Sequence, residues 1–230
     1  MSEDLTSDQT LQKYIDKMGK ELGTPFYHLW QEVSWIYSKI EQFAILFARK
    51  PTRIDIMNES APYFFRIVED LLLENIILSI ARITDPPNKF GNKNLSIQMF
   101  PSLVSEDGFR SQVKNLVDIS LGKVNFCRDW RNKRLAHLDL TLAIMEGIQP
   151  LDKITLNKLN DAIDSIADVL NIIDGYYCNS TTYFKLTGDV PGNSKSLLYV
   201  LYAGLKAKKE RIERMKNGNP REDDFNHQEI

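Results

Sequence analysis

The stretch Arg131-Asn132-Lys133-Arg134-Leu135-Ala136-His137-Leu138-Asp139 sets an arginine, a carboxamide and a histidine within seven residues. An imidazole titrates near neutrality and passes a proton in either direction. A guanidinium is permanently charged and offers a planar fork of donors to an oxyanion. Together these types suit proton transfer beside a developing negative charge. Of the three histidines, His227 belongs to a polar C-terminal stretch and His28 follows aromatics at the start of a helix. His137 is therefore the candidate for chemistry.

Laid on an ideal helix at 100° per residue, residues 121–138 put Leu121, Val124, Cys127, Leu135 and Leu138 on one stripe, with Arg131 near its centre. An arginine there is expensive unless it is paired or faces a ligand or partner. Arg128 and Arg134 flank the stripe and can reach water. The bland reading of His137 is that, like Lys133 and Arg134, it complements the negative end of a helix dipole. Asn132 gains little from a helix interior. Three polar choices that packing does not explain favour a functional reading.

The elements around this motif read as helices. Thr24-Pro25 is a start signal, and Leu29, Val33, Ile36, Ile40, Phe43 and Phe47 recur at three- and four-residue steps until Pro51. A second helix runs from about Ser60 to Thr84. It is apolar nearly all round over Leu71–Leu78, which predicts a central, buried helix. Asp85-Pro86-Pro87-Asn88 stops it, and a polar, glycine-containing loop follows to Asn94. Short helices are expected at Ser96–Val104 and Gly108–Ser120, then the motif segment from Leu121 to Leu138. Thr155 caps a further helix with Leu156, Leu159, Ile163, Ile166, Leu170 and Ile173 on one face. Ser194 to about Lys216 forms the last. No strand pattern of useful length and no internal repeat appears. The fold class is all-α: an up-and-down bundle of four to five main helices with short accessory ones. Residues 24–216 are expected as a single bundle domain, 1–23 as a partly helical N-terminal segment, and 217–230 as a disordered polar tail.

Composition bounds the function. The chain has 230 residues, 43% apolar and 26% charged, with a formal net charge of −2. That balance argues against a globally basic nucleic-acid binder, while a local basic patch still serves phosphate contacts. Cys127 and Cys178 form no CxxC and no Cys/His cluster, so reduced thiols and no metal site or cofactor are expected. The polar, acidic N-terminus is unlike a signal peptide. The most apolar run, Leu71–Ile83, is broken by Glu74, Asn75 and Arg82, short of the ~20 apolar residues of a membrane span. A soluble, cytoplasmic protein with no membrane partner is expected. P-loop, GxGxxG, zinc-spacing and Gly-x-Ser-x-Gly signatures do not occur.

Arg131-Asn132 followed by His137, with five residues between arginine and histidine, resembles the signature of the HEPN superfamily of helical-bundle ribonucleases. That signature is an arginine, a polar residue, then histidine after a spacer of four to six. RNKRLAHLD is similar to the form in the AbiU-type abortive-infection branch. So is a second stretch, Ala81-Arg82-Ile83-Thr84-Asp85-Pro86, then a polar loop, then Asn94-Leu95-Ser96-Ile97. The resemblance covers roughly residues 25–205. It implies metal-independent RNA cleavage, with His137 as base on a ribose 2′-hydroxyl, Arg131 stabilising charge on the phosphate and Asn132 positioning phosphate or side chains. Arg128, Lys133 and Arg134 would bind substrate. Single-stranded RNA, a homodimer and an antitoxin or other defence-system protein are the partners it implies. Another branch carries a tyrosine two residues after the histidine, a site of regulation; here that position is Asp139. Some members of the superfamily bind RNA or act as scaffolds without cleaving, so a non-catalytic binding module stays open.

Other features claim less. The basic stretch Lys206–Lys216 contains Glu210 and Glu213 and reads as a solvated, ion-paired helix face. Arg82 and Asp85, three apart, are expected to form a local ion pair. Trp30, Trp35 and Trp130 read as core or interface residues. On one straight helix Arg131 and His137 would point about 120° apart and lie about 9 Å apart along the axis. Either the helix ends or distorts within Leu135–Leu138, or the site is completed across a two-fold dimer, as the resemblance implies.

Overall fold

The computed structural model describes residues 6–89, 91–135, 151–185 and 190–225. Among them the architecture is all-α, apart from one minimal hairpin. The chain divides into two compact units, Met1–Glu41 with Leu71–Thr187 and Gln42–Asp70 with Gly188–Ile230.

In the first unit, α1 (Ser7–Met18) opens on a capping box in which Thr6 and Gln9 satisfy each other's backbone N–H. Gly19, at φ 78°, breaks the chain, and α2 (Lys20–Phe43) starts immediately after it. The helix therefore begins one turn before Thr24-Pro25. The amide of Gly23 already bonds to Gly19, so Pro25 is carried inside the helix and Thr24 caps nothing. The Thr24 hydroxyl is buried without a partner. Gly23 is required by a close approach: a Cβ there would stand 2.5 Å from the Tyr14 carbonyl oxygen of α1.

α4 (Pro62–Arg82) contributes Ile76, Ile77, Ile80 and Ala81 to the core. The expectation of a helix buried all round does not hold, because Leu71 is 61% and Leu78 39% exposed. Beyond α4, β1 (Asn88–Lys89) and β2 (Asn92–Lys93) pair antiparallel, with Gly91 at φ 82° in the turn. A 3-10 turn (Ile97–Met99) and α5 (Phe100–Leu103) follow. α6 (Asp107–Lys123) packs along α8 (Leu156–Cys178), which Thr155 caps as expected. Their seam holds Val113 and Val117 against Leu159, Ile163, Ile166 and Leu170, all at most 3% exposed. Each such side chain, fully buried, contributes about 1.5–3 kcal/mol. At the centre of the seam the Ser120 hydroxyl donates to the Ser165 carbonyl at 2.8 Å, so the polar atom is satisfied where it is buried.

The motif segment is not one straight helix. It is interrupted at Val124 (φ −91°, ψ 0°), resumes as α7 (Asn125–Trp130) and widens into a π turn over Arg131–Leu135.

In the second unit, a π turn (Ala44–Ala48) ends α2, and α3 (Pro51–Ser60) begins at the proline that ends the preceding pattern. Proline serves both purposes because its missing N–H is harmless at a first helical position. Ile45, Leu46, Met57, Phe65 and Leu198 form this unit's core. α9 spans Ser194–Lys216 as expected, and its basic half is ion-paired in part, Lys209 to Glu59 at 2.7 Å and Lys206 to Glu210 at 4.0 Å. The stretch beyond Lys216, expected to be disordered, instead folds back over its first part. Glu222–Phe225 is a 3-10 turn, and Asp224 accepts two bonds from Arg214 and one from the Arg221 amide.

Candidate functional site

The site grows from the C-terminal end of α4. The buried Thr84 hydroxyl donates back to the Ile80 and Ala81 carbonyls at 2.8 and 3.1 Å, so it is satisfied at the helix end. Pro86 and Pro87 forbid continuation of the helix. Asn94 then ties the hairpin to the stop, its amide to the Pro87 carbonyl at 2.8 Å and its side chain to the Pro86 carbonyl at 2.9 Å. Ile97 N–H donates to the Ile83 carbonyl at 3.0 Å, and Ser96 caps the 3-10 turn through the Gln98 amide. Ala81–Pro86 and Asn94–Ile97, distinct in sequence, are one knot in space.

α7 docks on that knot through its arginines. The Thr84 carbonyl, which no longer serves a helix, accepts from Gln98 Nε2 at 2.7 Å and from a terminal nitrogen of Arg128. Arg128 Nε is buried without a partner, and burial lowers the Arg128 pKa from its ordinary value, opposed by Asp85 and reinforced by Arg131. Arg131 lies on the same side of α7, one turn on. Its Nη1 donates to Asp85 Oδ2 at 2.5 Å, and its Nε to Asn132 Oδ1 at 3.1 Å. Both members of the pair keep 19% of their side-chain surface exposed. The price of an arginine among apolar neighbours is thus met by a carboxylate, as the stripe demanded. The carboxylate is the one expected to pair with Arg82. That local pair does not form; Arg82 reaches Glu32 of α2 at 2.8 Å instead.

Of the other residues singled out from sequence, Asn132, Lys133 and Arg134 are exposed, and the Arg134 guanidinium lies 5.3 Å from the Trp130 ring centre. Trp130 Nε1 donates to the Asp152 carbonyl at 2.8 Å. Trp35 is 66% exposed rather than core, and His28 lies exposed within α2. His137, Leu138 and Asp139 lie outside the described residues, as does His227. The helix end or distortion expected within Leu135–Leu138 falls, beyond Leu135, outside the described residues; among the described residues a π turn spans Arg131–Leu135. A π turn bonds i to i+5 rather than i to i+4, so the ideal-helix spacing of 100° per residue does not hold over Arg131–Leu135. Such turns recur at functional sites.

The other side of α7, through Phe126 and Asp129, borders a cleft of about 500 Å³ that also holds the Lys158–Asp152 ion pair. Burial pushes the Cys127 thiol up to about 12, so it behaves as an apolar group; both cysteines are free. Among the described residues no cluster of three or more His, Cys, Asp or Glu has the arrangement to hold a metal ion, and no helix is long and apolar enough to cross a membrane.

Gln98 is a part of this site that the sequence pattern did not single out, and Thr84 and Asp85, though they lie in the second family-like stretch, were given no link to the arginines of α7. The available signal was the unpaired arginine in the stripe, which called for a carboxylate from elsewhere in the chain. A family model described as AbiU2 (HEPN_AbiU2) matches residues 19–186, from the start of α2 past the end of α8. No curated protein and no solved structure matches the chain. The chain belongs to the AbiU2 family of HEPN domains.

Proposed function

We propose that the protein is a metal-independent endoribonuclease acting in prokaryotic phage defence, toxin–antitoxin or stress response. The observation that carries this reading is the Arg131 guanidinium, bonded to Asp85 and set on a π turn, at the point where the two family-like stretches of this chain meet. In the proposed reaction His137 takes the proton of a ribose 2′-hydroxyl, O2′ bonds to phosphorus, and the P–O5′ bond breaks; the leaving O5′ takes a proton from water and His137 gives its own back to solvent, which leaves a 2′,3′-cyclic phosphate and a 5′-hydroxyl. Arg131 stabilises the charge on the non-bridging oxygens, and Asn132 orients the phosphate. Proton transfer of this kind is worth ~10²–10⁴ in rate and a fixed charge partner ~10²–10³. Arg128, Lys133 and Arg134 bind the strand, which is single-stranded RNA. A homodimer places two copies of the motif face to face, and an antitoxin or other defence-system protein restrains the activity.

A second reading, a helical module that binds RNA, nucleotide or protein without cleaving, is favoured by the same ion pair, since a paired arginine also serves a purely structural role. Incubation of the purified chain with a mixed RNA pool in EDTA decides between them. Cleavage that leaves cyclic phosphate ends supports the ribonuclease. Retained RNA binding with no turnover selects the binding module.

A further inference from the structure

The ribonuclease reading leaves Asp85 without a role, although this residue makes the closest contact to Arg131 among the described residues. We propose that Asp85 is the positioning residue of Arg131: its carboxylate holds Nη1 while Asn132 holds Nε, so the guanidinium plane is fixed with its Nη2 edge turned to a phosphate oxygen. The inference rests on the ribonuclease reading and deepens it.

Three observations carry it. First, α7 is already anchored without Asp85, because Arg128 docks on the Thr84 carbonyl that also holds Gln98. A second anchor one turn on adds to that docking and also sets a direction for Arg131. Second, the contact is single, one carboxylate oxygen to one terminal nitrogen. A bidentate pair would occupy two nitrogens of the fork; this one leaves Nη2 without a bond to any described residue. Third, the pair is neither in the core nor free in water, with 19% of each side chain exposed. A guanidinium at that depth is ordered by its partner and still open to a ligand. The long arginine side chain carries about 2 kcal/mol of rotamer entropy, and misplacement of a catalytic group by about 1 Å costs on the order of 10²-fold in rate.

The opposite role, a carboxylate that competes with phosphate for Arg131, predicts the opposite sign and is separated by the same experiment. Steady-state cleavage of a fluorescent RNA is compared for wild type, Asp85→Asn and Asp85→Glu. Positioning predicts that Asp85→Asn lowers kcat by ~10–100-fold, the range typical of groups that orient a functional side chain, with KM within about 2-fold. Asp85→Glu, which keeps the charge, restores part of kcat. Unchanged or raised kcat in Asp85→Asn overturns the proposal, and a raised kcat with lowered KM selects the competitor. Side-chain 15N spectra, with the Arg131 Nε–H signal assigned through Arg131→Lys, test the holding itself. That signal should report slow rotation of the guanidinium in wild type and fast rotation in Asp85→Asn; an unchanged signal contradicts the inference. If the wild type cuts no RNA, the ribonuclease reading fails, and the spectra alone still decide whether Asp85 fixes Arg131.

Discussion

Arg131 Nη1 lies 2.5 Å from Asp85 Oδ2, although 46 residues separate them in sequence. The contact joins the end of α4 to the π turn after α7, so it couples two stretches that neither helix periodicity nor local charge spacing connects. Removal of one partner strands the other charge at partial burial. Asp85→Ala should cost about 1–3 kcal/mol, the range for orphaning a half-buried polar group, with solvent at this depth favouring the lower part. A double-mutant cycle with Arg131→Met, read by urea denaturation, should return a coupling of ~0.5–3 kcal/mol. Strict additivity would mean that the pair contributes nothing to stability.

The seam between α6 and α8 and the outer face of α4 should respond oppositely to the same chemical change. Ile163 is fully buried and Leu71 is 61% exposed. Truncation to alanine should cost about 2–5 kcal/mol at Ile163 and stay within about 0.5 kcal/mol at Leu71. Equal losses in urea melts would show that the Leu71 face is covered in solution.

Gly23 governs whether α1 can lie on α2. An added Cβ meets the Tyr14 carbonyl oxygen at 2.5 Å, and backbone yields less readily than a side-chain tip. Gly23→Ala should destabilise by ~1–3 kcal/mol, the usual penalty of overpacking, and raise amide exchange across Ser7–Met18. Wild-type protection of those amides in the variant would contradict the close approach.

Acid should loosen the C-terminal turn over a defined range. Arg214, helped by the Arg221 amide, holds the Asp224 carboxyl down to about 2, below the ~3.9 of an unfolded chain. A depressed carboxyl adds stability that is complete above its unfolded value and lost as pH falls through the folded one. Exchange at the amides of Glu222–Phe225 should therefore rise between about pH 4 and 2, and Asp224→Asn should be loose at every pH. A turn equally protected in Asp224→Asn would remove the role of the Arg214 pair.

Legibility in the sequence followed how local the cause was. α8 and α9 were readable almost to the residue because Thr155 and Ser194 stand at clean polar-to-apolar changes. α3 was not, since Pro51 ends one pattern and begins another with the same covalent geometry. Thr24-Pro25 misled because the break at Gly19 lies a turn earlier and leaves Pro25 to be tolerated inside α2. α4 looked buried all round because apolar residues mark both its core side and an exposed side. At the site, the need for a partner to Arg131 was legible and its identity was not. A spacing of three made Arg82 the visible mate for Asp85, while the real one depends on how α7 docks. The π turn escaped because a periodicity of 3.6 residues per turn has no place for it.

Whether this motif cleaves RNA is decided by single-turnover cleavage in EDTA by wild type, Arg131→Ala and His137→Ala. Rapid wild-type cleavage to cyclic phosphate ends is expected, with a loss of ~10²-fold or more in each variant. Cleavage by the two variants at the wild-type rate would contradict the roles given to Arg131 and His137.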